Sequence, residues 1–523
     1  MHDTLLTRLA RFAVDLQVSD LPPGVLERVR LQHISAAGSV RRLSKTPLAQ
    51  SIHRTTGKRG RAVKSTGGQS SARDALRLHS TLASAWGWDD QLFMGPTSVG
   101  GVSAGWALAK GHTVAELLRA TAAANEVAGR LGAAMLFGPD PADACGEIHA
   151  LSAATVAGLL GGLDASRLAH AMALAVAAPA RIPFGVLSGD SPARGMAIAQ
   201  AVDQGLEAVA LAKKGVLGPL DVLEVNDGVL ERGAWIPLRA AFTGLGHAWL
   251  TQTLCFKEFP AALPYQAPLQ AVREVLRRHV KAADKRLRAD QIQGIEIVMG
   301  APGYTLFQRA AGRPATTAWS VPFRLSPAVG LLVAEHEVEP GCLDADAWIG
   351  MQERVAMVAS KVEVRHDWDQ TLGLVRHLVD VWSPLLAGVT ATDLQAAKQA
   401  SRVIHGQLPN PGLAGILRIM RSRPNQLLEG IRYASGDLSD ARVDEWQMRM
   451  GTQVRVHTTR GGTWPENREI PEASPGWSWE QTRQLVFDKY APDAEDRSQA
   501  AALCQVDLSE SGDEWVRAML SPA

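Results

Sequence analysis

Two stretches, 148–163 and 168–180, carry no Asp, Glu, Lys or Arg. Both fall short of the ~20 apolar residues that a membrane span needs. Segments of that length and polarity therefore belong inside protein, as buried helices. Their neighbours show the same character. Leu5, Leu9, Phe12, Ala13 and Leu16 recur at helical spacing, the signature of one apolar helix face. Ser19 and Asp20 offer caps ahead of Leu21-Pro22-Pro23, and a second helix follows through Val25, Val29 and Ala36. His33 lies on its apolar side and reads as a core histidine. Further helices are predicted over 74–88, 100–110, 149–162, 166–179 and 193–214. Thr113 with Glu116 is a capping box opening a helix that runs through Arg130. Asp164 opens the helix that follows it, and Lys213-Lys214-Gly215 ends the last one. Residues 41–72, 136–147 and 181–192 read as loops. Everything up to about residue 255 is thus helix packed on helix, and abundant Ala and Gly suit close packing.

The pattern changes after Pro260 and Pro264. A helix is predicted over 267–282. IQGIEIVMG (292–300), KVEVRHD (361–367) and TQVRVHTTRGG (452–462) then alternate apolar and polar residues, as strands do. Between them, 371–445 is again helical, with Leu374, Leu378 and Trp382 in register. The Pro-rich run 464–476 reads as a linker, and a last helical segment from Trp479 returns to the first domain. At 523 residues the chain is too long for one ordinary core. The expected architecture is mainly α: an all-helical domain of residues 1–262 and 474–523, and a smaller α+β lid of residues 263–473 with a helical insertion at about 371–445.

A formal charge of +1 gives no reason to expect nucleic acid or an anionic membrane as partner. Four scattered cysteines without a CxxC pair point away from zinc, clusters and disulfides, and fit a reducing, cytoplasmic setting. The N-terminus has no signal-peptide pattern. Neither GxGxxG after a strand nor GxxxxGK[ST] is present, so no nucleotide is expected, and no His/Cys spacing suggests a metal. No cofactor is expected.

The stretch with the most chemical content is HSTLASAWGWDDQLFMGPTSVGG (79–101). A predicted helix runs into adjacent carboxylates, Asp89 and Asp90. The end of a helix carries partial negative charge, so these acids are costly there unless paired. The glycine-bearing loop behind them lets backbone approach a ligand.

Seven segments in order resemble the MmgE/PrpD family, which includes 2-methylcitrate dehydratases, cis-aconitate decarboxylases and iminodisuccinate epimerases. LARFAVDLQVSDLPPGVLERVR is similar to its first two helices. HSTLASAWGWDD stands where the family reads NGTxxHxxDxDD. GHTVAELLRATAAANEVAGRLG and GEIHALSAATVAGLLGGLDASRLAHAMALA resemble its central helices, and QGLEAVALAKKGVLGPLDVLE the helix after them. FKEFPAALPYQAPLQAV resembles its "K.YP" segment, and VRVHTTRGGTWPENREIPEASPG its closing strand pair and linker. The resemblance implies a helical domain built from both chain ends, an α+β lid, a site between them, and a homodimer.

It also marks departures. Family members move a proton beside a carboxylate, then eliminate, decarboxylate or re-protonate. Asp89, Asp90, His149 and Lys257 are retained. Ser84 stands at the NGTxxH histidine and His79 at its asparagine. Arg194 stands at a lysine, and Gln266 at the histidine after "K.YP". Arg194 cannot act as a base; it fits either a clamp on a substrate carboxylate or an ion pair with Asp190 or Glu207. Gln266 can hydrogen-bond but carries no proton. Tyr265 is either a proton donor with a lowered pKa or a packing residue. Lys257 either faces the substrate or pairs locally with Glu258. His149 is the best titrating group left, and one of the two aspartates is expected to serve as acid or base. The candidates are therefore Asp89, Asp90, His149 and Tyr265 for proton transfer. Arg194, Lys257, Gln266, Thr97, Ser98 and His79 are the candidates for binding a small carboxylate-bearing substrate. Two functions remain open: a cofactor-independent lyase or isomerase in specialised metabolism, or a catalytically inactive binding subunit. The insertion offers a surface for a partner or for dimerisation. Methylcitrate and cis-aconitate are not expected as substrates.

Overall fold

A computed structural model describes residues 3–521 apart from 58–59, 94–98, 139–143, 178–181, 311, 391, 394, 396–408, 410–430, 432–433 and 492–493. Its first part is helical: α1 (Leu5–Asp15), α2 (Pro23–Leu43), α3 (Pro47–Thr55), α4 (Ala72–Ala85), α5 (Val99–Leu108), α6 (Val114–Ala134), α7 (Cys145–Leu160), α8 (Ala165–Ala177), α9 (Phe184–Leu187), α10 (Ala193–Lys213) and α11 (Val229–Gly233). α7, whose one charged residue is Glu147 in the first turn, lies at the centre and packs against α5, α6, α8 and α10. Its apolar character needs no other explanation, because nearly every residue of it is buried. α10 also crosses α4 closely: a Cβ on Gly195 would lie 2.5 Å from the Thr81 carbonyl oxygen. The predicted capping box is present, with the Thr113 N–H donating to Glu116 at 2.7 Å and the Glu116 N–H donating to Thr113 Oγ1 at 3.3 Å.

Local chemistry explains where the expected boundaries moved. Residues 41–72 are not one loop. Thr46 caps α3 and Pro47 occupies its first position, where a missing N–H costs nothing. The two ends of 62–70 pair as short antiparallel strands β1 (Ala62–Val63) and β2 (Gln69–Ser70). The cap of α2 is Pro22, with Pro23 at the first turn, whereas Asp20 accepts from the Gln17 N–H. The expected loop 181–192 holds α9, and α7 begins at Cys145 inside the expected loop 136–147.

Buried Glu126 and Arg130 of α6 organise the irregular chain that follows α11. Glu126 accepts the N–H groups of Leu250 and Thr251, and Arg130 donates to the carbonyls of Ala241 and Ala248 at 2.8 Å each. That segment delivers β4 (Leu254–Cys255) antiparallel to β3 (Gln91–Leu92), with Gln91 opposite Cys255.

The α+β part contains β5 (Ile292–Met299), β6 (Val362–His366), β7 (Thr452–Thr458) and β8 (Thr463–Arg468) in the order β6-β5-β7-β8. β5 and β6 are parallel and the other pairs antiparallel. α12 (Gln266–Ala283) covers β7 and β8. α13 (Ala301–Ala310), α14 (Leu325–Glu335) and α15 (Ala345–Ala359) form the crossover from β5 to β6. The Pro-rich run expected as a linker starts as β8. Pro465 is tolerated there because β8 is an edge strand. Of the segment 371–445, the described part holds most of α16 (Trp368–Trp382) and three short 3₁₀ turns; much of the rest lies outside the described residues.

After the sheet the chain returns as α17 (Trp479–Tyr490), α18 (Ala494–Gln505) and α19 (Gly512–Leu520). α17 packs along α2, and α19 against α2 and α6. No helix among the described residues is long and apolar enough to cross a membrane.

Candidate active site

The end of α4 makes a sharp turn, Trp86-Gly87-Trp88, before the two aspartates. Gly87 has φ +66°, a conformation that costs other residues more. Both indoles anchor the turn: Trp86 donates to the Ala318 carbonyl at 3.1 Å and Trp88 to the Glu258 carbonyl at 2.7 Å. Arg194 lies beneath it. Its guanidinium donates to the carbonyls of Ser84 (3.1 Å), Leu187 (2.8 Å) and Ala85. Two of these acceptors end α4, where a cation is favourable.

The β3–β4 register then explains one ion pair. Continued by two residues, it sets Asp89 across from Lys257. The Lys257 ammonium lies 3.7 Å from Asp89 Oδ1 and donates to the Gly87 carbonyl at 3.1 Å. Asp89 keeps 16 % of its side chain exposed. Asp90, on the other side of the strand, is buried. Its Oδ1 accepts from Ser35 at 2.7 Å and from Lys489 at 3.2 Å, and Lys489 also donates to the Trp88 carbonyl at 2.7 Å. Burial pushes the Asp90 carboxyl up and the Lys489 ammonium down from their ordinary values, and each opposes the other's shift.

Lys489 was not foreseen from the sequence. It sits on α17 in line with buried Thr482, Val486 and Tyr490, and a lysine on an otherwise core-facing stripe is the one available signal, since buried lysines need partners. Its approach depends on α2. A Cβ on Gly38 would meet the Tyr490 backbone at 2.8 Å. That close crossing lets Ser35 and Ser39, on the same face of α2 as Gly38, reach Asp90 and the Trp88 carbonyl.

His149 lies in the early turns of α7, buried, with Nδ1 making no hydrogen bond among the described residues. Burial lowers its pKa to about 4 despite the raising effect of Asp89. Arg194 is lowered by burial to about 10, again opposed by Asp89. Both groups therefore feel the Asp89 charge. Gly100 of α5 packs on the same turn of α7: a Cβ there would lie 2.5 Å from the His149 carbonyl oxygen.

Other expected groups stand differently. Gln266 accepts from the N–H groups of Glu258 and Phe259 and donates to the carbonyls of Phe259 and Ala261, at 3.0–3.1 Å. All its hydrogen bonds go to main chain, so it shapes the segment after Lys257. The Tyr265 hydroxyl is buried without a hydrogen bond among the described residues, and burial raises its pKa rather than lowering it. That is the opposite of what a proton donor near neutrality requires. His79 belongs to the core. Its Nε2 accepts from the Ser65 N–H at 3.3 Å and its ring meets Trp106 edge-on at 5.7 Å. Asp190 and Glu207 pair with Arg324 and Arg73 at 3.1 and 3.3 Å, so neither takes Arg194 as an ion-pair partner. Glu258 pairs with Arg273, not Lys257. His33, as expected, is internal, with Nε2 at 3.0 Å from Thr121 Oγ1 and Nδ1 accepting from Trp106. Thr97 and Ser98 lie outside the described residues.

Residues 7–233 match the family model described as the MmgE/PrpD N-terminal domain. This match supports membership of the MmgE/PrpD family. The matched segment contains Asp89, Asp90, His149 and Arg194, whereas Lys257 and Lys489 come from beyond it. No curated protein matches the chain. Among the described residues no group of three His, Cys, Asp or Glu side chains is placed to hold a metal ion.

Proposed function

We propose that this MmgE/PrpD-type chain is a cofactor-independent lyase or isomerase that moves a proton beside the carboxylate of a small substrate. One observation carries the reading: Asp89, partly exposed, shares its field with Lys257, His149 and Arg194. His149 is neutral at pH 7, so its imidazole is free to take a proton from the carbon next to the substrate carboxylate. The charge that develops on that carboxylate is stabilised by the Lys257 ammonium and the Arg194 guanidinium. The proton then returns to carbon, or a group on the adjacent carbon leaves with the electron pair. Asp89 favours the imidazolium formed in between. Asp90 acts through position, holding the turn with Lys489. Because Ser84, Arg194 and Gln266 replace three proton carriers of the family pattern, the substrate is neither methylcitrate nor cis-aconitate but one of specialised metabolism. A homodimer belongs to the same reading.

A second reading, a catalytically inactive binding subunit, draws on Gln266 and Arg194, whose recorded hydrogen bonds go to the protein's own main chain. Incubation with small carboxylates in heavy water, followed by NMR, separates the two. The enzyme reading expects exchange or elimination that falls at least about a hundredfold in His149→Gln and Asp89→Asn, the usual weight of a general base. Turnover unchanged in both variants defeats the role assignment. A folded parent inert towards every compound favours the binding subunit.

A further inference from the structure

We infer that the Ser152 hydroxyl accepts the His149 Nδ1–H hydrogen bond and so leaves Nε2 as the nitrogen that acts as base. The inference rests on the function proposed above and adds a positioning residue to it. A neutral imidazole carries its proton on one ring nitrogen, and the hydrogen bond made there decides which one. Nδ1 of His149 is enclosed and makes no hydrogen bond among the described residues. An enclosed nitrogen cannot meet a substrate. Its part is to keep the proton while Nε2 presents the lone pair. A buried N–H without an acceptor is costly, so an acceptor is needed close by.

Ser152 follows His149 by three positions in α7, a spacing that makes the two side chains neighbours on the helix surface. Its hydroxyl is buried and, like Nδ1, makes no hydrogen bond among the described residues. The common outlet for a helical hydroxyl is the carbonyl four residues back. Thr155 of the same helix takes it, donating to the Leu151 carbonyl at 2.8 Å, whereas Ser152 does not. Side chains on a helix tilt towards its N-terminus, so Ser152 leans to the turn that holds His149. α5 lies close over both: a Cβ on Gly101 would come within 2.9 Å of Ser152 Oγ, and one on Gly100 within 2.5 Å of the His149 carbonyl oxygen. The Cβ atoms at this spacing are roughly 5–6 Å apart, a gap that the hydroxyl and Nδ1 close directly or through one water. Glu147, two positions before His149, projects from a different side of α7.

The test uses the full chain with its histidines labelled in the heavy nitrogen isotope, followed by NMR at neutral pH without substrate. The His149 ring signals are identified by their loss in His149→Gln. The parent is expected to show a protonated Nδ1 and an unprotonated Nε2. Ser152→Ala removes one oxygen and adds nothing to a tightly packed position. It should move the proton population towards Nε2 and lower turnover roughly three- to tenfold with KM held, the weight of one neutral hydrogen bond. A loss of packing alone would leave the tautomer where it is. An unchanged tautomer in Ser152→Ala therefore overturns the inference and leaves the proposed function standing. Should Ser152→Ala fail to fold, the parent's spectrum decides: a proton on Nδ1 supports the inference and a proton on Nε2 overturns it. The expected tautomer shift in a protein that exchanges no proton with any carboxylate supports the Ser152 contact and overturns the catalytic reading.

Discussion

Asp90 and Lys489 illustrate how a buried charge is retained. Each has lost most of its water, and each is held by the other, by Ser35 and, for Lys489, by the Trp88 carbonyl. Removing one partner strands the other charge in a low-dielectric interior, at a cost of about 3–5 kcal/mol. Asp90→Asn is therefore expected to lower the urea midpoint sharply. Asp90→Asn combined with Lys489→Met should recover much of that loss, because no unpaired charge remains. A single Asp90→Asn variant with the parent's midpoint would show that the pair does not hold the turn. Asp89, adjacent in sequence, is expected to behave otherwise. It keeps 16 % of its side chain exposed, so Asp89→Asn should change function at a smaller cost in stability than Asp90→Asn, although buried Lys257 then loses its carboxylate partner.

At the scale of elements, the site is made by crossings. α17 reaches Asp90 only because Gly38 lets its backbone lie against α2. Gly38→Val would place side-chain atoms where the Tyr490 backbone now lies. Overpacking of this kind costs roughly 1–3 kcal/mol, and it would also lift Lys489 away from Asp90. The expected outcome is lower thermal stability together with loss of the activity proposed above. Full activity in Gly38→Val would mean that the α2–α17 contact does not serve the site. The β3–β4 pair works at the same scale. Two residues of ladder on each side suffice to set Asp89 opposite Lys257, across a long separation in sequence.

At the scale of the whole molecule, three histidines among the described residues are buried in the helical core: His33, His79 and His149, lowered by burial to about 3, 3 and 4. A histidine whose folded pKa is depressed binds its proton more readily when unfolded. Its contribution is complete above the unfolded value near 6.5 and is lost as pH falls towards the folded value. For His149 that amounts to up to about 3 kcal/mol between pH 6.5 and 4. Asp90 and Glu126, raised by burial, act in the opposite sense. The comparison with His149→Gln isolates the histidine: its stability should fall less steeply than the parent's over that window in urea titrations. Parallel curves would place His149 in a solvated setting.

By itself the sequence determined the helices, because their signals are local. The capping box at Thr113, the charge-free run 148–163 and the alternation in β5, β6 and β7 need no distant partner to be recognised. It also singled out the Asp89–Asp90 doublet, since two acids after an apolar helix demand partners wherever they lie. Which partners they have was decided by tertiary structure. Lys257 arrives through strand register and Lys489 through a helix crossing near the other end of the chain, and neither leaves a mark near residue 90. The use of Gln266 and Arg194 was equally hidden. Their residue types allow a ligand or a main-chain carbonyl as partner, and only the folded backbone supplies the carbonyls that they bind. A charge or an amide is written in the sequence, but the dielectric around it and the groups that satisfy it are properties of the fold.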